Sequence, residues 1–346
     1  MQAAGAVLLD DLTKAAAIGP FDAAKFLGRF LRAKRLLDEH LAVHRPDLVI
    51  LVDFGDFNLP VIAPLVKRHK LPILYYISPQ VWAWGRFRLR LIRRDVDRMV
   101  VFFPFEEALY RQAGVPVTWV GHPLVDSARP TMSREAALQQ CGLNPWRRTV
   151  GLLPGSREHE IRRHLPLFLA AARRIAWHMP GVQFLLPKAP GVPQASLAQV
   201  LDGVGLDLHV TDGPVYDALQ LMGAAVVASG TATLDAALCE VPMAVVYRGS
   251  WPTYLIARSV VRLPRIALVN VVAERLLVPE FIQHRARPNA IASAVVELLR
   301  DDEQCAQMKA GLRDVKAVLG PPGAVARAAD AVLDALDRTT AASGRS

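Results

Sequence analysis

The sequence predicts an α/β protein made of two doubly wound domains facing one another, and three observations carry that expectation. Short β-branched apolar runs recur through both halves of the chain, separated by segments of helical length. The runs are apolar throughout instead of alternating, which is the pattern of parallel strands buried on both faces in βαβ units. At 346 residues the chain also exceeds the usual size of one hydrophobic core, so two domains are the default.

In chain order the first half offers DLVILVDF (47–54), PILYYIS (72–78), RMVVFF (98–103) and VTWVG (117–121) as strands. The second half repeats the rhythm with TVGLLPGS (149–156), QFLLPKA (183–189), LHVT (208–211), AAVVASG (224–230) and MAVVYR (243–248). Between them SARPTMSREAALQQCGLNPWRR (127–148) is polar, holds two prolines and has no strand signal. The expected division is therefore a first domain over 1–127, a linker over 128–147 and a second domain over 148–340. The Ala- and Leu-rich last fifty residues are expected to close the second domain as helices, with TTAASGRS as a frayed end.

Composition narrows the function. A net charge of +9 and a pI near 9.8 imply attraction to polyanions, whether nucleic acid, anionic lipid or phosphorylated metabolite. Cys141, Cys239 and Cys305 have no CxxC or His-rich spacing, so neither a disulfide framework nor a zinc site is indicated, and a reducing cytoplasmic setting is expected. No apolar stretch reaches the roughly 20 residues of a spanning helix and no signal peptide is recognisable, so any membrane contact is expected to be peripheral. The histidines, including His40 and His44 at helical spacing, form no known metal motif and read as solvated helix face.

Open parallel sheets bind ligands beyond the carboxyl ends of their strands, so the loops there are the candidate sites. ASGTATLDAAL (228–238) places Ser229, Gly230 and Thr231 between a strand and a helix, where free N–H groups and the helix dipole favour an anion such as a diphosphate; an ordinary N-cap is the bland alternative. LLPGSREHEIRRH (152–164) supplies Gly155, Ser156 and Arg157, and the planar guanidinium suits phosphate. Neither loop is GxxxxGK[ST], so ATP hydrolysis is not supported. VDFGDFNLP (52–60) brings Asp53 and Asp56 directly after a strand, as a general base or as caps of the next helix. His122, in WVGHPLVD, reads equally as a ligand contact or a structural hydrogen-bonder.

Taken in order, VDFGDFNLP, YYISPQVWAWGRFR, FFPFEEALY, WVGHPLVD, LLPGSREHEI, ASGTATLDAAL and VPMAVVYR closely resemble the lipid-A-disaccharide synthase family, over about residues 1–330. The resemblance implies two Rossmann-like domains of GT-B type. It implies an inverting transfer of 2,3-diacylglucosamine from UDP-2,3-diacylglucosamine to the 6-hydroxyl of 2,3-diacylglucosamine 1-phosphate, releasing UDP with no metal or other cofactor. On this resemblance Asp56 is the candidate base. Arg157 and the Ser229, Gly230 and Thr231 loop hold the leaving diphosphate, and Glu160 and Asn270 match further polar positions around the donor. Asp235 stands where the family usually has Glu, and the family's LPN segment reads LPRIALVN here, with Asn270 displaced. The family's first strand and glycine-rich loop are not matched, so the first domain is expected to be incomplete at its N-terminus. A non-catalytic relative that binds UDP-sugar or lipid, a transferase for another glycolipid and a UDP-sugar epimerase stay open as alternatives, as does a homodimer.

ISPQVWAWGRFRLRLIRR (77–94) gives the acceptor side its surface. On a helix over 86–99, Leu89, Ile92, Val96 and Met99 share one arc, while Arg86, Arg90, Arg93, Arg94 and Arg98 gather opposite with Phe87 and Leu91 among them. A basic face seeded with apolar residues favours anionic lipid headgroups over a merely solvated face. Nucleic acid is disfavoured because no recognised module accompanies it. Trp82 and Trp84, just before this helix, either pack an acceptor or fill the core. The expected location is the cytoplasmic face of the inner membrane.

Overall fold

The computed structural model describes residues 4–12, 27–82, 87–249 and 265–343. The helices in chain order are α1 (Leu27–His44), α2 (Gly55–Phe57), α3 (Ala63–Arg68), α4 (Arg88–Asp95), α5 (Pro104–Gln112), α6 (Leu124–Ser127), α7 (Arg134–Cys141) and α8 (Glu158–His178). They continue with α9 (Gln194–Leu201), α10 (Val215–Leu219), α11 (Ala232–Leu238), α12 (Leu268–Val272), α13 (Pro288–Arg300), α14 (Asp302–Val318) and α15 (Ala324–Ser343). The chain divides into two compact units, one formed by Met1–Gly121 with Gly323–Ser346 and one by His122–Pro322.

Unit 1 is built on a parallel sheet of β1 (Val49–Val52), β2 (Ile73–Tyr76), β3 (Arg98–Val101) and β4 (Val117–Trp119), in that spatial order. All four are runs expected from the sequence. Their core packs Ile73, Tyr75, Met99 and Val101 against Leu59, Ile62, Val66 and Ile92 from the intervening helices. Among the described strands β1 lies at the edge, and there Ile50 and Val52 are exposed while Leu51 is buried.

Unit 2 carries six parallel strands in the order β10-β9-β8-β5-β6-β7. These are β5 (Thr149–Leu153), β6 (Gln183–Pro187), β7 (Leu208–Thr211), β8 (Ala224–Ala228), β9 (Met243–Tyr247) and β10 (Glu280–Ile282). Strand order reverses between β5 and β8, whose residues are all buried, so the switch point of a doubly wound sheet lies at the ends of those two strands. The described strands of unit 1 show no such reversal.

Three boundaries differ from the sequence expectation. Residues 128–147 are not a free linker, because Asp217 accepts hydrogen bonds from Thr131 N, Thr131 Oγ1 and Met132 N and Gln183 exchanges bonds with Asn144. Within that stretch Ser133 caps α7 by accepting from Ala136 N. The last helix does not close unit 2 but returns to unit 1. It packs on β3, buries Ala324, Ala328 and Ala331, and Arg327 Nε donates to Val120 O at 2.9 Å. Finally, the helix expected over 86–99 ends at Asp95, since Val96 is already extended (φ −106°, ψ 124°). Met99 therefore belongs to β3 and Arg98 starts that strand.

Candidate functional site

In unit 1 the carboxyl end of β1 turns through two residues in left-handed conformation, Asp53 (φ 44°) and Phe54 (φ 46°), which non-glycine residues adopt only when the surroundings fix them. The fixing groups are visible. Asp53 N donates to Tyr76 O at 2.9 Å, and Asp53 O accepts from Tyr75 OH at 2.5 Å and from Asn58 Nδ2 at 2.8 Å. Asp53 thus serves the turn through its backbone, and no side-chain cap forms at the start of α2. The turn presents Asp56, whose side chain is 70% exposed and whose Oδ1 accepts from Arg88 Nη2; the Arg88 side chain is 7% exposed. A Cβ on Gly55 would come within 2.7 Å of Pro79 Cβ, so a glycine is required where this turn meets the loop after β2.

That second loop begins at Ile77, also left-handed at φ 68°, and is anchored by a buried polar cluster. Ser78 Oγ and Tyr110 OH are 2.8 Å apart. Trp82 Nε1 donates to Glu106 Oε1 at 3.2 Å, and Glu106 Oε2 accepts from Phe103 N. Burial pushes the Glu106 carboxyl up to about 7, against the lowering effect of these donors. Trp82 is therefore tied to the protein's own frame, with Phe105 edge-on to its ring at 5.3 Å. Trp84 and Arg86 lie outside the described residues. Arg90, Arg93 and Arg94 are exposed on α4, beside exposed Phe87, and Arg94 makes a bidentate pair with Asp95. Leu91 packs against the core instead of joining the basic face.

In unit 2 two loops stand at the switch point. After β5, Gly155 (φ 127°) lets the Glu160 side chain fold back, since a Cβ there would lie 2.5 Å from Glu160 Oε2. Glu160 Oε2 accepts from Ser156 N at 2.9 Å and Arg157 N at 3.2 Å, while Oε1 pairs with Arg157 Nη1. The N-terminus of the long α8 is thus closed by its own glutamate, with the Arg157 side chain 59% exposed beside it. After β8, Ser229 Oγ donates to Ile266 O at 3.4 Å. Among the described residues the N–H groups of Gly230 and Thr231 take no backbone partner, and Thr231 is exposed. These donors and Arg157 stand at the carboxyl ends of the two central strands, the position where an anion is met by partial and full positive charge.

Three residues expected at the site are engaged elsewhere. Asn270 is fully buried, and all of its amide's capacity is taken: Nδ2 donates to Val278 O and Glu280 Oε1, and Oδ1 accepts from Leu277 N and Val278 N. It fastens α12 to β10 and has nothing left for a ligand. Asp235 is turned to Tyr216, whose OH donates to it at 2.6 Å, and burial raises its carboxyl. His122 belongs to unit 2, is buried, and accepts from Leu124 N through Nδ1; burial pulls its imidazole down to about 4.

Three further residues escaped the sequence reading. Arg88 occupies the buried arc of α4 with Ile92 and Asp95, a spacing of four and seven that marks an arginine placed inward. Glu106 follows PF at the start of α5 and carries no signal of its burial. His164, which the sequence reads as solvated helix face, is buried, with Nδ1 3.0 Å from Pro154 O and Nε2 accepting from Arg248 N. It joins the loop after β5 to the end of β9.

A family model described as Lipid-A-disaccharide synthetase matches residues 1–330. Among curated relatives, the lipid-A-disaccharide synthase of Geobacter sulfurreducens is 42% identical over 338 residues, covering 98% of this chain and 88% of that one. That of Myxococcus xanthus is 38% identical over 336 residues, covering 97% and 88%. Among solved structures, S. aureus MnaA in a co-structure with UDP has a TM-score of 0.61 at 11% identity, over 89% of this chain and 80% of that one. The calicheamicin glycosyltransferase CalG4 has a TM-score of 0.57 at 18% identity, over 93% and 85%. At such identities these two establish shared fold alone.

Proposed function

The chain belongs to the lipid-A-disaccharide synthase family, and on that premise we propose that it transfers 2,3-diacylglucosamine from its UDP derivative to the 6-hydroxyl of 2,3-diacylglucosamine 1-phosphate, with inversion. It is a glycosyltransferase of lipid A biosynthesis. The observation that carries the residue assignment is the placement of an exposed carboxylate, Asp56, at the carboxyl edge of one sheet and of Arg157 with the Gly230 and Thr231 N–H groups at the switch point of the other.

In this reading Asp56 accepts the proton of the acceptor hydroxyl as the oxygen attacks the anomeric carbon. Charge then builds on the departing diphosphate. Arg157 and the N–H groups of the Ser229–Gly230–Thr231 loop are the donors available to it, and donors already in place stabilise developing charge without reorganisation. Glu160 holds Arg157 and Ser156 in position and must share their N–H groups with the incoming phosphate oxygens. The positive charge that a metal supplies in other transferases is here assigned to a guanidinium and a helix N-terminus.

We further assign the exposed face of α4, with Arg90, Arg93, Arg94 and Phe87, to the headgroups of an anionic membrane. A peripheral place on the cytoplasmic face of the inner membrane suits substrates that carry acyl chains. No helix among the described residues is long and apolar enough to cross a membrane.

The test is direct. Purified protein given UDP-2,3-diacylglucosamine and 2,3-diacylglucosamine 1-phosphate should release UDP, and Asp56→Ala should remove turnover while leaving donor binding intact. Full turnover by the alanine variant strikes Asp56 from its role. A folded wild-type protein that binds UDP but turns nothing over would make the chain a binding relative.

A further inference from the structure

We infer that Arg88 is the positioning residue of the proposed base: it clamps one oxygen of the Asp56 carboxylate and leaves the other directed to the acceptor. The inference rests on the reading of Asp56 given above and adds to it a residue that the sequence reading did not assign to the site.

The asymmetry of the pair is the first argument. Ion pairs with an exposed partner are usually loose, because a mobile side chain must be ordered for little Coulomb gain. Here the Asp56 side chain is 70% exposed, but its partner is 7% exposed. The guanidinium is the fixed member. It is the first residue of α4, its Cζ lies 5.7 Å from the Phe87 ring centroid, and its Nη1 would stand 3.7 Å from a Cβ placed on Gly55. Through its single Nη2 bond to Oδ1 this buried guanidinium restricts the rotamers open to a solvent-facing carboxylate.

The second argument comes from the choice of partner. Asp95 lies on the same helix, is buried, and would satisfy a buried arginine at short range in sequence. It goes instead to Arg94, a side chain 60% exposed. Arg88 extends to the carboxyl edge of the sheet, to a residue 32 positions earlier in the chain. Among the described residues Asp56 Oδ2 takes no hydrogen bond, so the clamp leaves one oxygen of the carboxylate open.

The third argument is the support behind the arginine. After β2, Pro79 packs against Gly55 and Trp82 donates to Glu106. A base must sit within hydrogen-bond reach of the proton it takes, and a misplacement of about 1 Å can cost on the order of 10²-fold in rate. A carboxylate on a short exposed turn would otherwise sample several rotamers. The buried guanidinium narrows that set.

The experiment compares Arg88→Met, Arg88→Lys, Asp56→Asn and the Arg88→Met/Asp56→Asn double variant, with UDP release read at enzyme excess so that slow turnover is measured. Arg88→Met should lower kcat by roughly 10²-fold with the KM for acceptor within about twofold. Arg88→Lys should recover part of the loss, and the double variant should be no slower than Asp56→Asn alone. UDP affinity, a property of unit 2, should stay at the wild-type value in all four. Asp56 itself is solvent-exposed, and the lysine variant serves where methionine disturbs folding.

Wild-type kcat in Arg88→Met, or a loss that multiplies with that of Asp56→Asn, overturns the positioning role. A raised acceptor KM at unchanged kcat overturns it too, in favour of direct acceptor binding by the guanidinium. Full turnover by Asp56→Asn would strike the base assignment itself and the inference with it.

Discussion

Glu106→Gln should flatten the dependence of unit 1 stability on pH between mildly acid and mildly alkaline solution. The carboxyl is 3% exposed, and its burial among Phe103, Trp82 and Tyr110 raises it from the ordinary 4.5 to about 7. The folded chain thus holds the proton more tightly than the unfolded chain. The stabilisation from the neutral acid is fully present below 4.5 and is lost as pH rises through about 7. At about 1.4 kcal/mol per tenfold, the gap between the two values corresponds to on the order of 3 kcal/mol. Glutamine stays neutral at every pH and should not show that loss. Amide hydrogen exchange in peptides spanning β3 and α5 reads unit 1 alone. Between pH 4.5 and 8, after correction for intrinsic rates, wild-type protection should fall roughly 10²-fold further than that of the variant. Parallel profiles for the two proteins would show that Glu106 titrates as an ordinary carboxyl and would refute the argument from burial.

Two further outcomes follow from the site. Asn270→Ala leaves Leu277 N its bond to Arg275 O but strands the N–H of Val278, at about 1–3 kcal/mol, so thermal unfolding of unit 2 should move to lower temperature while UDP affinity of the folded protein stays within about twofold; a large loss of UDP affinity at unchanged melting would place the amide on the donor after all. Replacing Arg90, Arg93 and Arg94 by Glu should abolish cosedimentation with anionic vesicles without altering UDP binding, and undiminished cosedimentation would reduce that face of α4 to ordinary solvated surface.

Much of the architecture was legible because parallel strands declare themselves by apolar runs. All nine expected runs are strands, from Val49–Val52 to Met243–Tyr247, whereas β10 (Glu280–Ile282) begins on a glutamate between Pro279 and Gln283 and so forms no apolar run. The switch-point loops were legible for a related reason: Gly155 and Gly230 sit where strand ends meet helices. What the sequence hides is the direction in which a polar side chain is spent. Asn270 looks like a ligand contact until its hydrogen bonds are traced to Val278, Leu277 and Glu280. Arg88 falls outside the basic arc of Arg90, Arg93 and Arg94, but nothing in the sequence tells that its buried guanidinium is spent on Asp56. The domain division failed at its end because α15 has the same Ala- and Leu-rich composition whichever sheet it covers, and only the contact with β3 decides.

The return of α15 to unit 1 has a consequence for how the protein is made. The residues of unit 2 are contiguous and can fold as soon as they have left the ribosome, but unit 1 is split around them. The helix that lies on β3 is synthesised about two hundred residues after the strand itself, a delay of roughly 10–40 s at ordinary elongation rates. Through that interval the apolar surface meant for Ala324, Ala328 and Ala331 waits uncovered. The first unit to begin is the last to finish, which reverses the usual N-terminal-first order.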